Sequence, residues 1–128
     1  MSYFFTTTTT RTFDETLDKV TSELKKEGFG ILTEIDVKET LKKKLDVDFR
    51  RYKILGACNP PFAYQALLSE DKIGLMLPCN VIIQETPDGM VEVSAIDPVA
   101  SMQAVDNQEL GEIAIQIREK LRKVISSI

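Results

Sequence analysis

The 128 residues carry 16 Lys+Arg against 20 Asp+Glu, 43% hydrophobic and 28% charged residues, and no histidine. This length and composition predict a single soluble domain over residues 1–128 that buries roughly two-thirds of the surface its unfolded chain exposes, without metal or disulfide staples. The absence of histidine excludes Ser-His-Asp and Cys-His catalysis, His-ligated zinc and histidine pH switches, and the net charge of -4 argues against a nucleic-acid partner.

Tyr3 to Thr10 is aromatic, β-branched and uncharged, which suits a pleated strand; the five threonines alone would also read as a low-complexity tail. Thr12 and Glu15 form a capping box ahead of Phe13, Leu17, Val20 and Leu24, which share one helical face, and Gly28 ends that helix. Phe29 to Ile35 reads as a second strand. Asp36 and Glu39 then open a short helix through Val37, Leu41 and Leu45, whose Lys42-Lys43-Lys44 run is a solvated face near a helix C-terminus.

Tyr52 to Cys58 is the third strand and runs into a helix start, with Asn59 as cap and Pro60 at the first helical position. Pro78 interrupts the apolar run Ile73 to Leu77. Cys79 to Glu85 and Met90 to Ile96 then pair as a hairpin through Thr86-Pro87-Asp88-Gly89, and Asp97-Pro98 closes it. Asp106 and Glu109 cap a last helix with Leu110, Ile113, Ala114, Ile117, Leu121, Val124 and Ile125 on one face. About five strands and four helices in this order predict an α+β fold, an antiparallel sheet covered by helices, and not a doubly wound parallel fold.

The segments at residues 54–69 and 73–84 are uncharged and each holds a Cys-Asn pair, Cys58-Asn59 and Cys79-Asn80. Cys58 precedes a helix start, where unpaired N–H groups favour a thiolate, but inert core packing is the favoured reading for both cysteines. Neither start nor composition marks an exported chain, so free thiols and a cytoplasmic location are expected. No uncharged run is long and unbroken enough to cross a membrane. Metal binding has only two thiols and carboxylates such as Glu34, Asp36 and Asp97 to draw on, a poor match to structural zinc, so no metal site is assigned. Asp97 before Pro98 reads as turn chemistry or as a carboxylate beside the cysteines. Neither Gly28-Phe29-Gly30 nor Gly74 belongs to a phosphate-binding loop pattern.

Gly28-Phe29-Gly30-Ile31-Leu32-Thr33-Glu34-Ile35-Asp36-Val37, Lys53-Ile54-Leu55-Gly56-Ala57-Cys58-Asn59-Pro60-Pro61, Leu77-Pro78-Cys79-Asn80-Val81 and Ala95-Ile96-Asp97-Pro98 occur in this order. Over nearly its whole length the chain resembles the bacterial and archaeal domain-of-unknown-function family three hundred and two. The resemblance implies an α+β fold of TATA-binding-protein-like topology and homodimers, and no known activity. Leu45-Asp46 stands where that family would have Leu-Gly, a place where Asp tolerates left-handed backbone. The family strings share the polar residues Glu34, Asp36, Cys58, Asn59, Cys79, Asn80 and Asp97, which together suit a small polar ligand, a soft metal or a sulfur-containing species. The leading expectation is a small homodimeric binding or sensing protein. A thiol-dependent enzyme using Cys58, with Lys53 or a carboxylate as base, and an interaction module with core cysteines are the alternatives. The uncharged Tyr3-Phe4-Phe5 run also points to a homodimer.

Overall fold

A computed structural model describes residues 2–128. Its centre is one antiparallel sheet of five strands, β1 (Phe4–Thr9), β2 (Gly30–Asp36), β3 (Tyr52–Cys58), β4 (Cys79–Glu85) and β5 (Val91–Ile96), ordered β1-β5-β4-β3-β2. The chain lays β1 at one edge and crosses the sheet through helix α1 (Phe13–Lys26). It then returns strand by strand from β2 to β5 until β5 meets β1. This is the strand-helix-sheet-helix order of the TATA-binding-protein-like topology expected from the sequence.

Local chemistry explains each boundary. At α1 the Thr12 hydroxyl accepts from the Glu15 N–H at 3.2 Å, and the Glu15 carboxylate accepts from the Thr12 N–H at 3.0 Å. Two orphan donors are satisfied at once. The helix closes where Gly28 adopts φ +87°, letting the Phe29 N–H donate back to the Leu24 carbonyl at 2.9 Å. Helix α2 (Val37–Leu45) starts on Asp36, whose carboxylate accepts from the Glu39 N–H, and stops at Asp46, left-handed at φ 52°. That aspartate takes the left-handed position where the resemblance leads one to expect glycine. The β4–β5 turn closes with the Thr86 N–H donating to the Met90 carbonyl at 2.9 Å and Gly89 at φ +82°.

Alternation along the strands gives the sheet two different faces. Leu55, Ala57, Val81, Ile83, Val91, Val93 and Ala95 point into a core closed by α1 and by helix α5 (Gln108–Ser126). Their neighbours Ile54, Ile82, Ser94 and Ile96 point the other way. There polar groups serve one another: Arg50 donates to Gln84 at 2.8 Å, Gln84 to Glu92 at 3.1 Å, and Ser94 to Thr6 at 2.9 Å. A second, smaller core of Ala66, Ile73, Met102, Leu110 and Ala114 lies where helix α3 (Pro60–Ser69), a 3₁₀ turn (Asp71–Met76) and helix α4 (Pro98–Ser101) meet α5.

Three sequence expectations change. There are five α-helices and a 3₁₀ turn in place of four helices, because residues 71–76 and 98–101 coil into segments of only six and four residues, too brief to leave a periodic signal. The cap of α5 is Asn107, whose side-chain oxygen accepts from the Leu110 N–H at 3.1 Å, and not Asp106. Asn59 occupies the cap position of α3 but makes no cap bond; its amide donates to the Glu27 carbonyl at 3.0 Å, at the end of α1. Among the described residues no helix is long and apolar enough to cross a membrane.

Candidate functional site

Strand β3 ends and α3 begins at Cys58-Asn59, and β4 begins at Cys79 directly across from Ala57. Antiparallel pairing therefore brings the two cysteines, 21 positions apart in the chain, to the same end of the sheet. Between them and the α3–α4–α5 corner lies a cavity of about 320 Å³. Cys58, Asn59 and Cys79 line it together with Leu32, Leu67 and Met102, on walls that are otherwise almost entirely apolar.

The two thiols differ. Cys79 is buried, and burial, reinforced by the neighbouring Cys58, pushes its thiol up to about 11. It stays neutral at physiological pH, since a thiolate would have to be desolvated beside a second sulfur. Cys58 is half-buried and unpaired, and is the more accessible sulfur on the wall. Asn59 is nearly buried, and its bond to Glu27 fixes the start of α3 against the end of α1. A methyl group added at Gly28 would approach the Asn59 amide to 3.2 Å, so glycine serves that junction by its size as well as by its backbone.

The other four residues singled out from the sequence lie elsewhere. Asn80 points from β4 to the opposite face of the sheet, in a shallow depression with Ile82 and Gln84. Glu34 pairs with Lys53 at 2.7 Å, Asp36 caps α2, and Asp97 caps α4 by accepting from the Val99 N–H at 3.0 Å. Asp36 and Asp97 are occupied at helix starts, where strand-to-helix junctions need acceptors, and Glu34 is occupied by Lys53 on the neighbouring strand. Lys53 is the second residue of the strand that Cys58 ends, a separation of about 16 Å at the strand rise, so it is out of reach as a base for that thiol. No group of three or more Cys, Asp or Glu side chains able to hold a metal occurs among the described residues. The apolar half of the cavity wall, Leu32, Leu67 and Met102, escaped the sequence reading. Its trace was the uncharged stretch at residues 54–69, which covers only Leu67 of the three.

The family model described as domain of unknown function DUF302 matches residues 5–128. The chain belongs to the DUF302 family. Among solved structures it is similar to the one entitled "Crystal structure of uncharacterized conserved protein DUF302 from Bacillus stearothermophilus", with 27% identity over 99% of this chain and 98% of that one, and a TM-score of 0.92. A search of the curated proteins finds no match.

Proposed function

We propose that this DUF302 chain binds a small, largely apolar molecule in the cavity between the Cys58 and Cys79 strand ends and the α3–α5 corner. One observation carries the reading: both cysteines line one apolar hollow, whose volume of about 320 Å³ lies at the lower end of the range for small-molecule sites. The carboxylates that favoured a polar ligand are spent on caps and on Lys53, so recognition falls to shape, to dispersion contacts and to the sulfurs of Cys58, Cys79 and Met102. Soft sulfur atoms favour polarizable ligand groups over hard, charged ones. A metal ion as sole occupant is disfavoured because two thiols lack further ligands and an ion would leave most of the volume empty.

Native mass spectrometry of freshly purified protein tests this directly, with anilinonaphthalenesulfonate fluorescence as the second measurement. Wild type is expected to retain or take up an apolar molecule. Ala63→Phe, placed on the cavity wall, is expected to exclude it and to slow alkylation of Cys58. Equal probe binding by wild type and Ala63→Phe, with no retained ligand, refutes the reading.

A further inference from the structure

The side chain of Asn59 is only half used. It is 8% exposed, and its amide nitrogen donates to the Glu27 carbonyl at 3.0 Å. A carbonyl can only accept, so that bond fixes which end of the amide is nitrogen and puts the oxygen, Oδ1, on the other side. Among the described residues no donor reaches Oδ1: the capping bond that an asparagine at this position ordinarily accepts is not made. Nor is Oδ1 sealed off, since among the described residues the one enclosed side-chain polar atom without a partner is Arg118 Nε. An acceptor on a residue nine-tenths buried that is neither bonded nor sealed opens onto the space that residue lines, and for Asn59 this is the cavity.

The surroundings offer it no partner. No charged residue lines the cavity, and Asn59 is the only one there with a strong hydrogen-bonding side chain. Cys58 and Cys79 add weak thiols, and burial pushes that of Cys79 up to about 11, so it carries no charge at neutral pH. The backbone adds little. Helix α3 opens on Pro60 and Pro61, which have no N–H, and the Ala63 N–H is spent on the Asn59 carbonyl at 2.9 Å. Only the Phe62 N–H is left in the first turn, so the row of free donors expected beside Cys58 is missing and the strongest group in the cavity is an acceptor. A buried water makes about three hydrogen bonds and would find mainly this one, so a ligand donor displaces it favourably.

We propose that the molecule bound here has an apolar body and one neutral hydrogen-bond donor, a hydroxyl or an amide N–H, from which Asn59 Oδ1 accepts at the strand-to-helix junction beside Cys58. This rests on the cavity being the binding site. Asn59 then serves twice: its nitrogen ties α3 to α1, and the same bond aims its oxygen at the ligand. The donor is neutral because no carboxylate lines the cavity to pair an ammonium. Apolar walls give affinity without direction, and the single acceptor fixes which way round the molecule lies.

Three two-ring probes of similar shape separate a donor, an acceptor and neither: 2-naphthol, 2-methoxynaphthalene and 2-methylnaphthalene, with Kd measured by equilibrium dialysis at pH 7. From wild type to Asn59→Ala, the affinity for 2-naphthol relative to 2-methylnaphthalene is expected to fall about tenfold, and that for 2-methoxynaphthalene to change by less than about twofold, because only the naphthol hydroxyl loses a partner. In wild type, where folding is not at issue, carbon-13 labelling of the three asparagine carboxamides is expected to show the Asn59 signal moving downfield with 2-naphthol and not with 2-methylnaphthalene. Unchanged relative affinities in Asn59→Ala, or an Asn59 signal indifferent to 2-naphthol, overturn the assignment and leave the cavity reading standing. An equal relative loss for 2-methoxynaphthalene shows Asn59 donating and overturns it too. Binding of none of the three, with no molecule retained in native mass spectrometry, overturns both readings.

Discussion

Helices α1 and α5 bury their apolar faces in the main core, whereas α3 fully buries Ala66 alone and is tied at both ends. Val20, Leu24, Ile117, Leu121 and Val124 disappear into the main core. At the start of α3 the Asn59 amide donates to the carbonyl of Glu27; at its end the Asn107 amide donates to the Ser69 carbonyl at 2.9 Å, and the Ser69 hydroxyl donates to Asn107 at 3.2 Å. Two asparagines thus position a helix that buries Ala66 and packs Phe62 on the main core while Tyr64, Leu67 and Leu68 stay exposed. The lesson is that an uncharged helix can be fixed in place while most of its large apolar side chains stay exposed.

The sharpest way to break this comparison is to truncate one leucine in each region. Leu121→Ala, in the main core, is expected to cost about 3 kcal/mol in urea unfolding. Leu68→Ala, at an exposed position, is expected to stay within about 0.5 kcal/mol. Equal losses would show α3 to be packed like α1 and α5. Next in size is Asn107→Ala, which removes both the cap of α5 and the tie to Ser69 and is expected to cost about 2 kcal/mol. Asn59→Ala removes one bond and is expected to cost about 1 kcal/mol. Neither substitution touches the apolar face of α3.

Titration sharpens the contrast further. The backbone N–H and then the hydroxyl of Thr12 hold the Glu15 carboxyl below its ordinary 4.5, and Lys26, then Lys19, do the same for Glu23. Folded α1 therefore binds fewer protons than the unfolded chain. The stabilisation is present above the ordinary carboxylate value and is lost as pH falls through the lowered folded values. The urea midpoint is expected to drop on acidification below about 4.5, less steeply in Thr12→Ala, while α3, which has no charge, contributes nothing to that slope. At the alkaline end Cys79 acts in the opposite sense. Its raised thiol keeps a proton that the unfolded chain loses, so stability is expected to decline from about 9 toward about 11, and Cys79→Ala should flatten the decline.

Nearly all of the architecture was legible because its signals are local. The Thr12–Glu15 box, the hairpin at residues 86–89 and the periodic faces of α1 and α5 each specify one element, and few antiparallel arrangements accommodate their order. What escaped depends on groups distant in sequence. Asp106 and Asn107 are both competent caps, and Glu109 three residues on favoured Asp106. Asn107 wins because its amide also donates to Ser69, which a carboxylate cannot do. Of the candidate site, the meeting of Cys58 and Cys79 follows from strand pairing, but the dispersal of Glu34, Asp36, Asn80 and Asp97 does not, because shared polarity says nothing about which side of a sheet or which cap a residue serves. An uncharged stretch likewise reads as interior whether or not the rest of the chain covers it.

The path of the chain through the sheet has a consequence for the order of assembly. β1 pairs only with β5, so Phe4 must find Ile96 and Thr9 must find Val91. During synthesis the first strand to emerge is therefore the last to gain its partner, while β2, β3, β4 and β5 can zip together as each follows its neighbour. Until then an uncharged ribbon of phenylalanines and threonines waits with both edges open, the condition in which strands recruit one another between nascent chains. Helix α1, already capped at Thr12, tethers that ribbon to the growing sheet and shortens its search.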